Sequence, residues 1–413
     1  MNPIIELLVF VGICLSIFII IELIIRNIIL SVNRNFQWLI VKKDEKPKLS
    51  KSGLEKFFKH GYDSELGWVR KPFTEHEENG KNGKTKWHID KNGARDNPVS
   101  GYKEGKISCY GDSFTFARQV NDDETWSYYL SELAKTKIQN FGVGNYGLDQ
   151  SLLRLKREFE KNPTEIVILG VVPDTLSRIL SVWKHYYEYG NTFGFKPRFE
   201  IFKNELVMVD NLIDSEEKFF HYTDFLKEIQ KNDFFYKEKF LKEIIKFPYS
   251  MSIFKNLDRN LRILRDVSKN NKMSNEKIIN QNFEPMKIIM SRNLEWRIKL
   301  FKNKYAYNLL KKIIQEYVKF SQKENFKPIF IFLPQKDDII FIKNNYHFYN
   351  EFIDEMKKMD SLIFLDITKK ILEEKNIEDL FSEDTEYGGH YSKEGNKVIA
   401  KIIFDELNRR MKF

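Results

Sequence analysis

Hydrophobic positions change rhythm twice along this chain. Between Pro3 and Leu30 they run almost without interruption, and residues 7–21 carry no charge. Residues 3–25, wound as a helix, are about 35 Å long, enough for a hydrocarbon core of about 30 Å. Glu6 and Glu22 mark the ends of the uncharged run, and Arg26 lies four residues beyond Glu22, on the same helix face. At that spacing the pair can neutralise locally or sit near the headgroups. A single transmembrane helix over residues 1–30 is the expectation. Neither a basic start nor a small-residue cleavage site marks it as a removable signal peptide.

Residues 31–60 are basic and read as a juxtamembrane linker. From residue 61 to 413 the pattern becomes one of short apolar runs separated by helical stretches. Residues 106–110, 138–143, 165–172, 328–333 and 362–367 are predicted strands. Residues 125–134 and 152–159 are predicted helices, as are the stripe Leu309, Leu310, Ile313, Ile314, Tyr317, Phe320 and the closing segment 393–410. Strands apolar on both faces argue for a parallel sheet covered by helices. The expected fold is α/β: a three-layer sandwich around a mainly parallel five-stranded sheet, preceded by the membrane helix. An insertion at about 180–305, dense in Phe, Tyr and Lys, interrupts it. Residues 199–202 and 206–209 inside it read as a hairpin.

Composition narrows the field only slightly. Of 413 residues, 42% are hydrophobic and 31% charged, which excludes a disordered chain. Lys and Arg exceed Asp and Glu by 68 to 59, for a formal charge of +9. The lysines are scattered among glutamates and asparagines, so nucleic acid is not an expected partner. Cys14 and Cys109 make neither a disulfide framework nor a zinc or redox motif. No glycine-rich phosphate loop or metal-ligand spacing appears, so no cofactor or metal is expected. Trp68, Trp87 and Trp126 read as core anchors, and Asp337-Asp338 as a solvated loop. Arg26, Arg34, Lys42, Lys43, Lys46 and Lys48 follow the apolar segment and none precedes it, which by itself favours a cytoplasmic domain.

Two places carry candidate chemistry. Gly111-Asp112-Ser113-Phe114 directly follows a predicted buried strand, which puts Ser113 at the carboxyl end of the sheet, where α/β proteins place ligands. A turn into a helix there offers backbone N–H groups to an oxyanion. Far downstream, Gly388-Gly389-His390 precedes the last helix, and a hydroxyl nucleophile needs such a base beside it.

Together with Asn140-Phe141-Gly142-Val143 and Gly395, these blocks resemble the SGNH (GDSL-type) serine hydrolases across roughly residues 62–410, excluding the insertion. Tyr62-Asp63, Leu66-Gly67-Trp68, Asn92-Gly93 and Arg95 resemble membrane-anchored bacterial members. The resemblance implies Ser113 as nucleophile and oxyanion donor, His390 as general base, and Asn145 as the second oxyanion donor, with Gly147 and Gln150 continuing that segment. Two positions depart from the family. Tyr387 stands where an aspartate precedes the histidine, leaving Asp384, Glu386 or a simple dyad. Pro173 stands at the oxyanion asparagine, with Thr175 or Arg178 as stand-ins. The implied activity is ester cleavage or acyl transfer on an O-acylated surface carbohydrate; the alternative is a decayed module that binds glycan or a partner protein. Anchored members of this kind present their domain outside the cytoplasm, against the flanking charges.

Overall fold

The computed structural model describes residues 2–35, 42–103, 105–269, 284–383 and 389–411. Helix α1 (Pro3–Asn35) presents its apolar side chains outward: Ile4, Leu8, Phe10, Ile17, Ile20 and Ile24 are all exposed. It is long and apolar enough to cross a membrane. The segment expected as a linker contains a folded helix, α2 (Lys51–His60). Ser50 caps it by accepting from Gly53 N–H, and Leu54 is buried against the domain. An antiparallel hairpin follows, β1 (Glu75–Gly80) with β2 (Gly83–His88).

The sheet begins with β3 (Ile107–Gly111), which runs directly into a single-turn helix, α3 (Ser113–Phe116). Next come α4 (Trp126–Ala134), β4 (Gln139–Asn140), α5 (Leu148–Phe159) and β5 (Ile166–Val171). The insertion supplies the hairpin β6 (Arg198–Phe202) and β7 (Glu205–Val209), then α6 (Tyr249–Lys255), α7 (Leu257–Lys269) and α8 (Glu284–Phe301). The α/β alternation resumes with α9 (Lys304–Glu324), β8 (Lys327–Phe332), α10 (Lys336–Asn344), β9 (Ile363–Asp366) and the closing α11 (Lys393–Met411).

All five sheet strands are parallel, in the spatial order β4-β3-β5-β8-β9. By chain order that is 2-1-3-4-5, a doubly wound sheet whose order reverses between β3 and β5. Period-two alternation splits its side chains into two cores. Ile329 and Ile331 face Trp126, Leu130, Ile399 and Ile403 of α4 and α11, whereas Phe330 and Phe332 share a core with Leu152, Leu155, Leu309 and Ile313 of α5 and α9. Burying each such side chain contributes about 1.5–3 kcal/mol. The expected three-layer sandwich is present.

Three local readings differ. The second strand was expected over 138–143, but its paired residues are only Gln139–Asn140; beyond them Phe141 and Val143 N–H still donate to the Cys109 and Gly111 carbonyls, while Asn140 Oδ1 takes Gly142 N–H at 3.0 Å. Glu22 does not pair with Arg26. It is buried, accepting from the N–H groups of Tyr249 and Ser250 and from the Ser250 hydroxyl, so α6 satisfies it. Asp337 and Asp338, expected in a solvated loop, are buried in the first turn of α10, where both face the Arg297 guanidinium of α8. Helical and strand periodicity reports neighbours within one element, and these partners come from another.

Candidate active site

Why Ser113 sits where it does follows from two close approaches. Gly111 has φ 159°, and a Cβ there would fall 1.8 Å from the Gly170 carbonyl oxygen, so only glycine lets β3 leave the sheet beside β5. A Cβ on Gly142 would lie 2.4 Å from Phe116 N, so the loop after β4 rides directly on α3. Asp112 then locks the turn: its carboxylate accepts Phe114 N–H at 2.9 Å and Val172 N–H at 2.9 Å, and pairs with Arg178 at 3.2 Å. Burial pushes this carboxyl up, and Arg178 opposes it. Ser113 is thereby placed at the β3–β5 switch point, 6% exposed.

His390 comes to the same rim from the other end of the chain. Its ring packs on Phe114 at 4.7 Å between centroids, and Tyr391 meets the same phenyl edge-on at 5.0 Å. Asn396 in α11 accepts Trp126 N–H at 2.9 Å, tying the last helix to α4. Among the described residues, the Ser113 hydroxyl and the imidazole do not hydrogen-bond to each other; such contacts often tighten only when substrate is present.

The imidazole's second nitrogen meets an amide. Gln119 Oε1 lies 2.9 Å from His390 Nδ1 and accepts the backbone N–H of His390 at 2.9 Å and the Ser382 hydroxyl at 2.8 Å. The amide nitrogen donates to Glu383 at 3.0 Å and to the Asn79 carbonyl at 3.2 Å, which fixes its oxygen toward the ring. Nδ1 therefore carries the proton and Nε2 is the acceptor. Burial pulls the imidazole well below its usual value, and the Arg118 and Arg178 cations reinforce the pull.

Gln119 is itself held in the left-handed region, φ 67°, by charge on both sides of its loop. Glu78 of β1 accepts Gln119 N–H at 2.8 Å and pairs with Arg118. Arg95 spans the loop from beneath, donating to the carbonyls of Phe116, Ala117 and Val120 while pairing with Asp122 at 2.9 Å.

The remaining sequence candidates separate clearly. Asn145 lies on this rim: Val143 N–H donates to the Gly111 carbonyl at 2.9 Å, and Asn145, two residues on, is exposed with φ 67°. Thr175 is fully buried away from the rim's surface, its hydroxyl accepting Leu148 N–H at 2.7 Å. Arg178 is likewise taken, by Asp112 and by Asp174 at 3.3 Å. Gln150 Nε2 donates to the Leu66 carbonyl at 2.7 Å, bracing the start of α5. Asp384, Glu386 and Tyr387 lie outside the described residues. Trp87 and Trp126 are buried as core anchors, whereas Trp68 is half-buried at a cleft and donates its indole N–H to the Gly144 carbonyl at 2.9 Å.

Sequence reasoning missed Gln119, Arg118, Glu78 and Ser382. The one available signal was the tyrosine at the expected acid position, which left the imidazole in need of a partner from elsewhere. Gln119 reaches it across 271 residues, a separation that no local pattern reports.

No family model matches the chain. No curated protein matches it. Among solved structures, a protein assigned to the G-D-S-L lipolytic family from Desulfitobacterium hafniense DCB-2 aligns over 74% of this chain and 100% of its own, with 13% identity and a TM-score of 0.34. A two-domain esterase active on acetylated mannans aligns over 75% of this chain and 50% of its own, with 7% identity and a TM-score of 0.30. The fold of this chain is defined by its own sheet, five parallel strands covered by helices on both faces.

Proposed function

We propose that the protein is a membrane-anchored serine esterase or acyltransferase of the SGNH type, acting on ester-linked acyl groups of a surface carbohydrate. The observation that carries the reading is the Gln119–His390 contact, which leaves Nε2 as a neutral acceptor beside the residue that follows Ser113. In this mechanism Ser113 Oγ attacks the ester carbonyl carbon while Nε2 takes the hydroxyl proton. The oxyanion of the tetrahedral intermediate accepts from the N–H groups of Ser113 and Asn145. Collapse breaks the ester bond, and His390 returns the proton to the departing alcohol. Water, or a sugar hydroxyl, then gives its proton to Nε2, attacks the acyl-enzyme and regenerates the serine.

Gln119 performs the orienting part of a triad's acid without its charge, as asparagine does in papain-like proteases. The carbohydrate substrate class comes from the motif resemblance alone. Substitution of Ser113 by alanine tests the assignment: unchanged turnover of 4-nitrophenyl acetate rejects it.

A second reading has its own support. Pro173 donates nothing at the expected oxyanion asparagine, and no carboxylate contacts the imidazole among the described residues, as befits a decayed module that only binds glycan or protein. Covalent labelling by a fluorophosphonate discriminates, since only an activated serine reacts.

Anchoring is supported by the outward apolar surface of α1 and by its continuation onto the insertion. Phe18 meets Phe247 at 6.3 Å, and Phe247, Met251 and Phe254 are exposed beside the helix. The domain is assigned to the outside of the cytoplasm, since long domains translocate despite flanking positive charge. A reporter fused after Phe413 that is active only in the cytoplasm overturns that assignment.

A further inference from the structure

Beside the serine rim lies an open cleft of about 680 Å³, lined by Trp68, Arg70, Trp87, Arg118, Asn145 and Lys184 among others. It lies beside the loop that carries Ser113: Arg118, in the cleft wall, donates its N–H to the Ser113 carbonyl at 3.2 Å, and Asn145 belongs to both rim and cleft. Most of the charge in its walls is already matched. Arg118 pairs with Glu78, Lys184 with Glu188 at 2.7 Å, and Glu75 with Lys86 at 2.8 Å.

Arg70 is different. Its guanidinium lies over the Trp87 ring at 4.3 Å and the Phe116 ring at 5.1 Å, and one terminal nitrogen approaches Gly144. Among the described residues it has neither a carboxylate partner nor a hydrogen bond. The aromatic faces hold it by cation–π attraction but leave its planar edge of N–H donors unused. Burial, and the Arg118, Arg95 and Arg154 cations around it, pull its pKa down to about 10, against the pull of Glu78. A partly desolvated cation with no counterion is costly, and the group that relieves it most is an oxyanion offering two acceptors to one fork.

We propose that this cleft is an anion subsite, and that the ester acted on at Ser113 is borne by an acidic carbohydrate whose carboxylate or phosphodiester is held by Arg70. The inference rests on the esterase reading for the word "ester" but not for binding. Trp68, half-buried at the cleft, offers a sugar ring an apolar edge, and Lys184 lies 6.0 Å from that indole on the same wall. A charged group seated on Arg70 fixes the neighbouring ester against Asn145, so binding energy far from the carbonyl sets its orientation.

Two measurements on the full chain test this. The first is the ratio of kcat/KM for an O-acetylated oligogalacturonate over O-acetylated mannotriose, with an O-acetylated sugar phosphodiester as a third substrate to separate carboxylate from phosphate. The wild type is expected to favour an acidic ester, and Arg70→Gln to shrink the ratio about 10- to 100-fold, with Arg70→Lys between. Salt at 0.5 M erodes the acidic preference in the wild type, a readout that needs no variant to fold. An equal ratio in wild type and R70Q, or no acidic preference, overturns the proposal. The second is binding of unesterified oligogalacturonate, and of the phosphodiester, to the Ser113→Ala protein by tryptophan quenching. Binding that disappears in Ser113→Ala/Arg70→Gln while no ester is ever cleaved retains the anion subsite and rejects the esterase. Equal binding of a neutral oligosaccharide rejects the subsite.

Discussion

Behind Ser113 and in front of it, the protein treats charge in opposite ways. Behind, a buried chain of ion pairs runs from Asp112 through Arg178 and Asp174 to Arg297, Asp337 and Asp338, each group facing an opposite charge. Tyr187 closes it by donating to Asp174 at 2.7 Å. Burial pushes Asp338 up to about 7, and Arg297 opposes it. In front, His390 leans on a neutral amide, and Arg70 faces a cleft with no carboxylate paired to it among the described residues. Matched charges in a dry interior hold elements in place, whereas an unmatched one at a rim is stabilised only when something binds. The back wall is scaffold; the front is where ligand and proton are to be accommodated.

Breaking the front at its proposed nucleophile has the largest expected effect. Ser113→Ala should lower kcat for a small acetyl ester by about 10⁴-fold or more, with the circular dichroism spectrum unchanged. Breaking the back should cost stability instead. Arg297→Met strands Asp337 and Asp338 without their cation and leaves Asp174 to Arg178 alone, an expected loss of about 3–5 kcal/mol in denaturant unfolding. Converting Asp337 and Asp338 to leucine in the same chain should recover much of it, because a buried charge without a partner is what costs.

Gln119 sharpens the comparison, since it does at the front what ion pairs do behind. Gln119→Ala should reduce kcat about 10²-fold with little change in KM, measured on the same ester. Gln119→Glu probes the sign. The base works when neutral, so its depressed pKa puts the acid limb of the kcat/KM profile below the ordinary histidine range. A carboxylate at Nδ1 favours the imidazolium, raises that pKa and should move the limb to higher pH. A limb that stays in place means that the amide is not the ring's partner in solution. The smallest effect is expected at Glu78→Gln, which weakens the Arg118 pair and the hold on Gln119 N–H; stability should fall by about 1–2 kcal/mol and kcat several-fold.

Much of the scaffold was legible in the residues themselves. The five apolar runs became the five strands, and the 309–320 stripe and the closing segment became α9 and α11, because burial on both faces of a sheet or along one stripe of a helix leaves a local period. The placement of Ser113 after β3 was legible for the same reason, since Gly-Asp-Ser at the end of a buried strand is a local arrangement. His390 beside it required the motif resemblance. The folded part of the linker and the buried Asp337 and Asp338 were not legible, because charge and polarity along a chain do not say which groups another element will cover.

Sequence alone therefore determined the apolar leading helix, the α/β alternation and the serine at the sheet's edge, all consequences of side-chain spacing within one element. Tertiary structure decided the rest: that Glu22 is satisfied by α6, and that, among the described residues, an amide meets the imidazole and Arg70 faces a cleft without a paired carboxylate. Electrostatic partnership depends on distance in space and on exclusion of water, and neither is written in the order of residues.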